Sequence, residues 1–210
     1  MTTMNTKVRS VPAPRITAES HAHIQTEHGD FAVAAFEFAS GRSHLGLVHD
    51  GPALSHLPLV RLQSACLTST AVLAEMCDCR QQLHRSLQLV ASSQGGCVVY
   101  LDQEGRGHGL VEKIGQLAEM NAGADTVDAA VRRGVEPDVR SYDEAAVVLQ
   151  RLVGNQPVRL LTNNPSRIRL AEQAGIKVAS REPILTEPTH HNATYLRVKK
   201  ERLGHLLDNL

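Results

Sequence analysis

The sequence predicts an α/β fold, a single layered domain in which helices flank a mixed β-sheet. Three observations lead there. The first half carries short β-prone runs broken by Gly, Ser and Pro. The second half alternates strand-like runs with helical periods. A chain of 210 residues, 42% apolar, is long enough to bury one substantial core.

Taken in order, residues 1 to about 15 are polar, proline-bearing and without period, which reads as a disordered leader ahead of a domain spanning 16–210. The runs Phe31 to Phe38, Leu45 to Val48 and Leu59 to Leu62 read as strands. After Cys79, Leu83, Leu87 and Val90 recur at helical spacing until Gly95-Gly96 stops the run. Cys97 to Leu101 reads as a buried strand, Asp102 to Gly109 as a loop and Leu110 to Asn121 as a helix. Ser141-Tyr142-Asp143-Glu144 has the form of a capping box, ahead of Ala145, Val148, Leu149 and Leu152 on one helical face. Val158 to Leu161 is then a strand, Thr162 to Pro165 a turn, Ser166 to Ala174 a helix ended by Gly175, and Ile176 to Val178 a further strand. The tail from Tyr195 to Leu210 reads as an amphipathic helix whose role is packing.

Composition narrows the function. Lys plus Arg and Asp plus Glu both number 22, so no global field draws nucleic acid or an anionic membrane, and an anionic ligand must be held by local charges. Aromatic residues are 3% of the chain and Trp is absent, which leaves too few rings for a base-stacking platform. No window reaches the roughly 18 consecutive apolar residues of a membrane span, and the first residues lack a signal-peptide core. The expected setting is the cytoplasm, with no nucleic-acid and no membrane partner, where clustered cysteines are metal-binding or catalytic rather than disulfide-bonded. Asn192-Ala193-Thr194 fits the glycosylation pattern but has no use in that compartment.

The strongest chemical signal is Cys66, Cys77 and Cys79. Two thiols one residue apart converge on a metal when the backbone turns, and a third can return to them from upstream. Three thiolates suit zinc, and the lack of an evident fourth ligand favours an open position of the catalytic kind. The competing reading is that these cysteines are small buried hydrophobes. Cys97 begins an apolar run and is expected in the core; His21, His23, His190 and His191 lie in polar segments, and only His84 and His108 fall near the motifs.

Gln103-Glu104-Gly105-Arg106-Gly107-His108-Gly109 joins a strand to a helix, so its amides could face an anion or a base, or it could be an ordinary turn. It matches neither a dinucleotide fingerprint nor a P-loop. Thr162-Asn163-Asn164-Pro165-Ser166-Arg167 puts donors and a cation where a phosphate could dock, with helix capping as the alternative. Asp138 precedes Arg140 by two residues, a carboxylate able to orient a guanidinium, or a surface pair.

Assembled in order, these pieces resemble the GTP cyclohydrolase II family, zinc enzymes that open the imidazole ring of GTP at the head of riboflavin synthesis. The resemblance runs from about Gly29 to Leu207. It rests on Ser64-x-Cys66-Leu67-Thr68, Cys77-Asp78-Cys79 with Gln82-Leu83, Gln103 to Arg106, Asp125-Thr126-Val127, Leu160 to Pro165 and Gly204-His205-Leu206-Leu207.

The resemblance implies a GTP cyclohydrolase II-like fold, with zinc on Cys66, Cys77 and Cys79 activating water for attack on C8 of the purine. It implies Arg140 as nucleophile toward the α-phosphorus with Asp138 as acid/base partner, so that pyrophosphate leaves; because guanidinium stays protonated near neutral pH, the conservative alternative is that Arg140 only stabilises the charge on phosphorus. It implies Arg61, Ser64, Gln82, Glu104, Gly105, Arg106, Thr126, Thr162 and Arg167 around the nucleotide, magnesium at the triphosphate, and a homodimer.

Departures accompany the matches. The family's Arg-x-His-Ser-Glu-Cys is here Arg61-Leu62-Gln63-Ser64-Ala65-Cys66, its Gly-Asp after Leu-Thr is Ser69-Thr70, and its Arg-Asp-Tyr is Arg140-Ser141-Tyr142. Leu117 stands where the family has a tyrosine, and members lacking that tyrosine can stop at the formamide. The expectation is that zinc and nucleotide binding survive while the final deformylation is impaired or the preferred nucleotide is changed. The alternative is a non-catalytic nucleotide-binding relative that kept the zinc scaffold. A purely structural zinc site would require a fourth protein ligand.

Overall fold

The computed structural model describes residues 13–49 and 56–208. Its sheet begins as an antiparallel meander of β1 (Ile16–Thr26), β2 (Gly29–Phe38) and β3 (Ser43–His49). β4 (Leu59–Ser64), β5 (Gly96–Leu101), β6 (Val158–Leu161) and β7 (Val178–Glu182) complete the order β1-β2-β3-β5-β4-β6-β7. β3 meets β5 antiparallel, whereas β5, β4, β6 and β7 are mutually parallel. The expected mixed sheet is therefore present.

Seven helices accompany the sheet among the described residues: α1 (Leu67–Thr70), α2 (Cys79–Ala91), α3 (Leu110–Asn121), α4 (Thr126–Arg132), α5 (Asp143–Val153), α6 (Pro165–Gln173) and α7 (Ala193–Leu203). One face of the sheet buries Phe36, Val60 and Val99 against Ala145, Val148 and Leu149 of α5 and Ala171 of α6. The opposite face buries Phe31, Leu47 and Val98 against Val90 of α2, with Leu83 and Leu87 at its margin. The apolar positions that announced α2 and α5 in the sequence are thus the ones that cover the two faces.

Several expectations are corrected. The region before Gly29 contains β1, which pairs along β2 but is exposed almost throughout. Its Thr, Glu, Ser, His and Gln side chains keep an outer strand polar, so no buried alternation announces it. Of the expected leader, residues 1–12 lie outside the described residues.

The capping box at Ser141 does not form. α5 starts at Asp143 behind Tyr142 with no side-chain cap. The Glu144 carboxylate instead accepts from Ser40 at 2.7 Å and His44 at 2.8 Å and pairs with Arg42 at 2.9 Å.

β7 begins at Val178 rather than Ile176, because the Ile176 amide is used to close α6 on Ala171 at 3.0 Å. The loop after β5 holds a 3-10 turn at Glu104–Gly107, and a short helix, α4, follows α3. The tail helix ends at Leu203, and it does more than pack: its Lys199 is buried against Asp78.

Candidate active site

Three neighbouring parallel strands deliver the site. β5, β4 and β6 end side by side, and their C-terminal ends lead into Gln103, Ser64 to Cys66, and Thr162 to Asn164 respectively. Outside the carboxyl ends of parallel strands the backbone leaves the sheet, so loops from adjacent strands converge on one crevice. That crevice is a cavity of about 440 Å³, of a size that holds a small molecule.

All fifteen residues singled out for a functional role line it: the three cysteines, Asp138, Arg140, Leu117 and the nine expected around a nucleotide. The lining also includes Lys113, Lys199, Tyr195 and His205, which the sequence reading left without a role. Seven formal cations (Arg61, Arg106, Lys113, Arg140, Arg167, Arg169 and Lys199) face two carboxylates, Glu104 and Asp138. A chain of zero formal net charge has concentrated positive charge in one cavity, which attracts a polyanion.

The cysteines meet as their spacing suggested. Cys66 is the N-cap of α1 and Cys79 the first residue of α2. Ser69 ties the two helices together by accepting the Arg80 amide hydrogen at 3.1 Å. The three sulfurs lie within 4.8 Å of one another, with Cys66 and Cys77 at 3.8 Å. Two sulfurs each about 2.3 Å from a tetrahedral zinc stand about 3.8 Å apart, so the cluster fits such an ion.

Hydrogen bonds from Cys77 and Cys79, with help from Lys113 at 3.0 Å, hold the Cys66 thiol far below its ordinary pKa, while Cys66 pushes Cys77 and Cys79 up. A dication would let all three ionise together. No fourth His, Cys, Asp or Glu joins this cluster among the described residues. Cys97 is fully buried in β5, where burial alone pushes its thiol up to about 12.

A second chain of contacts fixes the floor. Lys199 donates to Asp78 at 2.7 Å, and Gln82 donates to the other Asp78 oxygen at 2.6 Å. Burial pushes the Asp78 carboxyl up, but Lys199 outweighs it and the net shift is downward. Gln82 in turn accepts from Arg61 at 2.6 Å.

Arg61 is 2% exposed and also donates to Gln63 twice and to the Leu161 carbonyl, so four of its five N–H groups are committed within the protein. Burial, then repulsion from Arg167, lowers its pKa to about 9. Gln63 is the neutral acceptor that keeps this guanidinium in place.

The glycine loop positions the Asp138–Arg140 segment. Arg106 adopts φ +59°, an uncommon conformation for a residue with a Cβ. From it, the Arg106 carbonyl accepts the Val139 amide hydrogen at 3.1 Å, and its guanidinium donates to Pro137 at 3.3 Å and to Thr126 at 3.0 Å. Gly107 permits this approach, since a Cβ there would come 3.0 Å from Val139.

Asp138 grips Arg140 through both oxygens, and Arg140 also donates to the Ser64 hydroxyl at 3.3 Å. Burial lowers the Arg140 pKa, but Tyr142 and Asp138 more than reverse that, so the guanidinium is held above its ordinary value. The pair lines the cavity with Arg140 half-buried and Asp138 exposed. Ser64 is two residues from Cys66, a step of roughly 7 Å along extended chain, so Arg140 and the thiols lie within one small molecule's length.

The third wall comes from Thr162 to Arg167 and the C-terminal segment. Asn164 caps α6, its side chain accepting the Ser166 amide hydrogen at 2.9 Å. Arg167 donates to Tyr142 at 2.9 Å. The Leu206 amide donates to Asn163 at 2.8 Å, which brings His205 to the cavity. Burial, followed by Lys199 and Arg167, lowers His205 to about 3, so its ring is neutral at physiological pH. Along α3, Lys113, Gln116, Leu117 and Met120 recur at helical spacing as one face on the cavity. Gln103 donates to the Ser141 carbonyl, while its buried Oε1 has no protein partner.

The model of the family described as GTP cyclohydrolase II matches residues 17–183. The chain belongs to the GTP cyclohydrolase II family. Among curated relatives it is 41% identical over 192 residues to "GTP cyclohydrolase-2" of Azotobacter vinelandii, covering 89% of this chain and 90% of that protein. With "GTP cyclohydrolase-2" of Picrophilus torridus the identity is 38% over 188 residues, covering 89% of this chain and 97% of that one. With the "Riboflavin biosynthesis protein VVA0006" of Vibrio vulnificus it is 40% over 188 residues; the match covers 89% of this chain and 51% of that protein, about half its length.

A solved structure described as RibBX, a two domain 3,4-dihydroxy-2-butanone 4-phosphate synthase from A. baumannii, aligns at a TM-score of 0.42 with 16% identity, over 85% of this chain and 42% of that one. By family and relatives the chain is an enzyme of the GTP cyclohydrolase II kind.

Proposed function

We propose that this enzyme hydrolytically opens the imidazole ring of a purine nucleoside triphosphate, GTP by preference, and releases pyrophosphate. One observation carries the reading: a single cationic cavity holds both the incomplete three-thiol cluster and the Asp138–Arg140 pair. That set serves one ligand with a reactive ring at one end and phosphates at the other.

Cys66, Cys77 and Cys79 would hold the zinc, whose contribution when bound is the activation of water for attack on the base. Glu104 stands beside them, accepting from the Leu67 amide at 2.6 Å and from Lys113 at 2.7 Å. It can therefore accept a hydrogen bond from a purine edge while Lys113 neutralises it. Gln82, fixed by Asp78 and Arg61, and Gln103, with its free carbonyl oxygen, offer further polar contacts for the base.

Arg140, Arg106 and Arg167 take the phosphates, with magnesium accompanying them. Because Asp138 keeps Arg140 charged, stabilisation of negative charge at the α-phosphorus is the role its chemistry supports, rather than attack by a deprotonated guanidine. The cytoplasm and a homodimer are the setting and assembly that accompany this reading.

Leu117 puts a hydrocarbon on the face of α3 that lines the cavity. With no hydroxyl there, the ring-opened product keeps its formyl group. Mass spectrometry after incubating the zinc-loaded protein with GTP and magnesium tests the whole reading. A ring-opened formamide nucleotide with pyrophosphate is expected. Intact GTP would favour the alternative of a relative that only binds nucleotide.

A further inference from the structure

Outside the cavity, a second set of ligand-type side chains converges among the described residues. We propose that Glu27, His28 and His84 form a divalent-metal site that clamps the β1–β2 hairpin onto α2, taking a borderline ion of the nickel, zinc or copper kind. The proposal does not depend on the reading of the cavity, since none of the three residues lines it.

The geometry is that of ligands around one point. His28 Nε2 lies 3.3 Å from His84 Nδ1 and 3.4 Å from Glu27 Oε1, and His84 Nδ1 lies 2.9 Å from the same oxygen. For metal–nitrogen and metal–oxygen bonds of about 2.0–2.1 Å, neighbouring ligand atoms stand about 2.9 Å apart at a right angle and about 3.4 Å apart at the tetrahedral angle. All three separations fall in that interval. Hydrogen bonding accounts for them less well, because two ring nitrogens and one carboxylate oxygen would have to divide at most two protons among three close edges. Two imidazoles and a carboxylate also suit borderline dications better than magnesium or calcium.

The fold holds these groups in register before any ion arrives. Glu27 and His28 are the two residues between the paired Thr26 and Gly29 that close the hairpin. Thr26 locks that turn, its hydroxyl accepting the His28 amide hydrogen at 3.1 Å and donating to Gly29 at 2.8 Å. The turn sits against α2, since a Cβ at Gly29 would lie 3.5 Å from Ala91. His84 is seven residues, close to two helical turns, before Ala91, and so points from the same face. It is also only five residues after Cys79, a rise of roughly 7.5 Å, so an ion here would stiffen the helix that carries one of the three thiols.

The test is Ni²⁺ binding to untagged protein by equilibrium dialysis and by thermal unfolding. Any Ni²⁺ on sulfur is followed separately through its thiolate charge-transfer absorption. One Ni²⁺ per chain without that absorption is expected, with a rise in Tm of about 5–10 °C at a hundredfold excess over Kd. His84→Ala and Glu27→Gln, both at half-exposed or exposed positions, should weaken that binding at least tenfold and abolish the Tm rise. His191→Ala, a histidine paired with Glu75 elsewhere, should leave both unchanged. Equal binding in wild type and both site variants, or no thiolate-independent Ni²⁺ at micromolar concentration, overturns the proposal.

Discussion

Arg140 is the residue on which the phosphate half of the account turns. Its guanidinium is charged, gripped by Asp138 and directed past Ser64 into the cavity. Arg140→Ala should lower kcat by about 10²–10³, the scale of losing one preorganised charge donor, while zinc content stays at the wild-type level. A loss of zinc in parallel with activity would mean the residue acts on the fold rather than on phosphorus.

Leu117 makes the opposite kind of prediction. Leu117→Tyr should add formate to the products without changing ring opening, as read by a formate assay beside mass spectrometry. Unchanged products would remove Leu117 as the cause of a retained formyl group. At this scale the sequence was informative wherever a motif was contiguous, as at Cys77-Asp78-Cys79 or Glu104-Gly105-Arg106. It was silent on Lys113 and Lys199, because each reaches the cavity from a helix whose local pattern looks like ordinary surface. The Gly204-His205-Leu206-Leu207 motif was noticed, but only the Leu206–Asn163 bond explains why it matters.

Among the elements, α7 is tied to α2 by one buried ion pair. Lys199 and Asp78 are 8% and 1% exposed. Removing one member strands the other charge, whereas removing both does not. Lys199→Met should therefore destabilise by about 3–5 kcal/mol in chemical denaturation, and Asp78→Asn/Lys199→Met by clearly less. Additive losses would show that the two act independently.

The strands β2 to β6 were legible as short apolar runs, and α2 and α5 because their apolar residues repeat at the spacing of the face they cover. β1 was not legible, since it is held by backbone pairing with β2 and buries almost nothing. The capping box misled because Glu144, four residues into the motif, is drawn a hundred residues back to His44 by tertiary structure.

Across the whole molecule, the same Glu144 contact contributes to a pH dependence of stability that the lowered His205 shares. The Asp102 amide donates to His44 Nδ1 at 3.1 Å while His44 Nε2 faces the Glu144 carboxylate, so the folded ring carries its proton on Nε2 and is neutral. Burial lowers its pKa below 6.5 despite the opposing pull of Glu144 and Asp102, with Arg42 adding to the lowering. The unfolded ring takes up its proton at a higher pH, about 6.5, than the folded ring does, so this contribution to stability is full above that pH and falls as the solution is acidified. Glu144, whose own pKa is lowered chiefly by Ser40, His44 and Arg42 against the cost of burial, extends the loss below pH 4.5. Urea unfolding at pH 7.5 and 5.5 should show that decline in the wild type and a shallower one in His44→Gln. Equal slopes would place the titrating group elsewhere.

At the same scale, the sequence showed a neutral chain, and only folding revealed seven cations gathered in one cavity. The measurement that reaches the centre of the account is X-ray absorption at the zinc edge of the purified enzyme. Three sulfurs at about 2.3 Å with one exchangeable oxygen, perturbed when GTP is added, is the expected spectrum. A fourth sulfur, an imidazole ligand, or no zinc at all would contradict it.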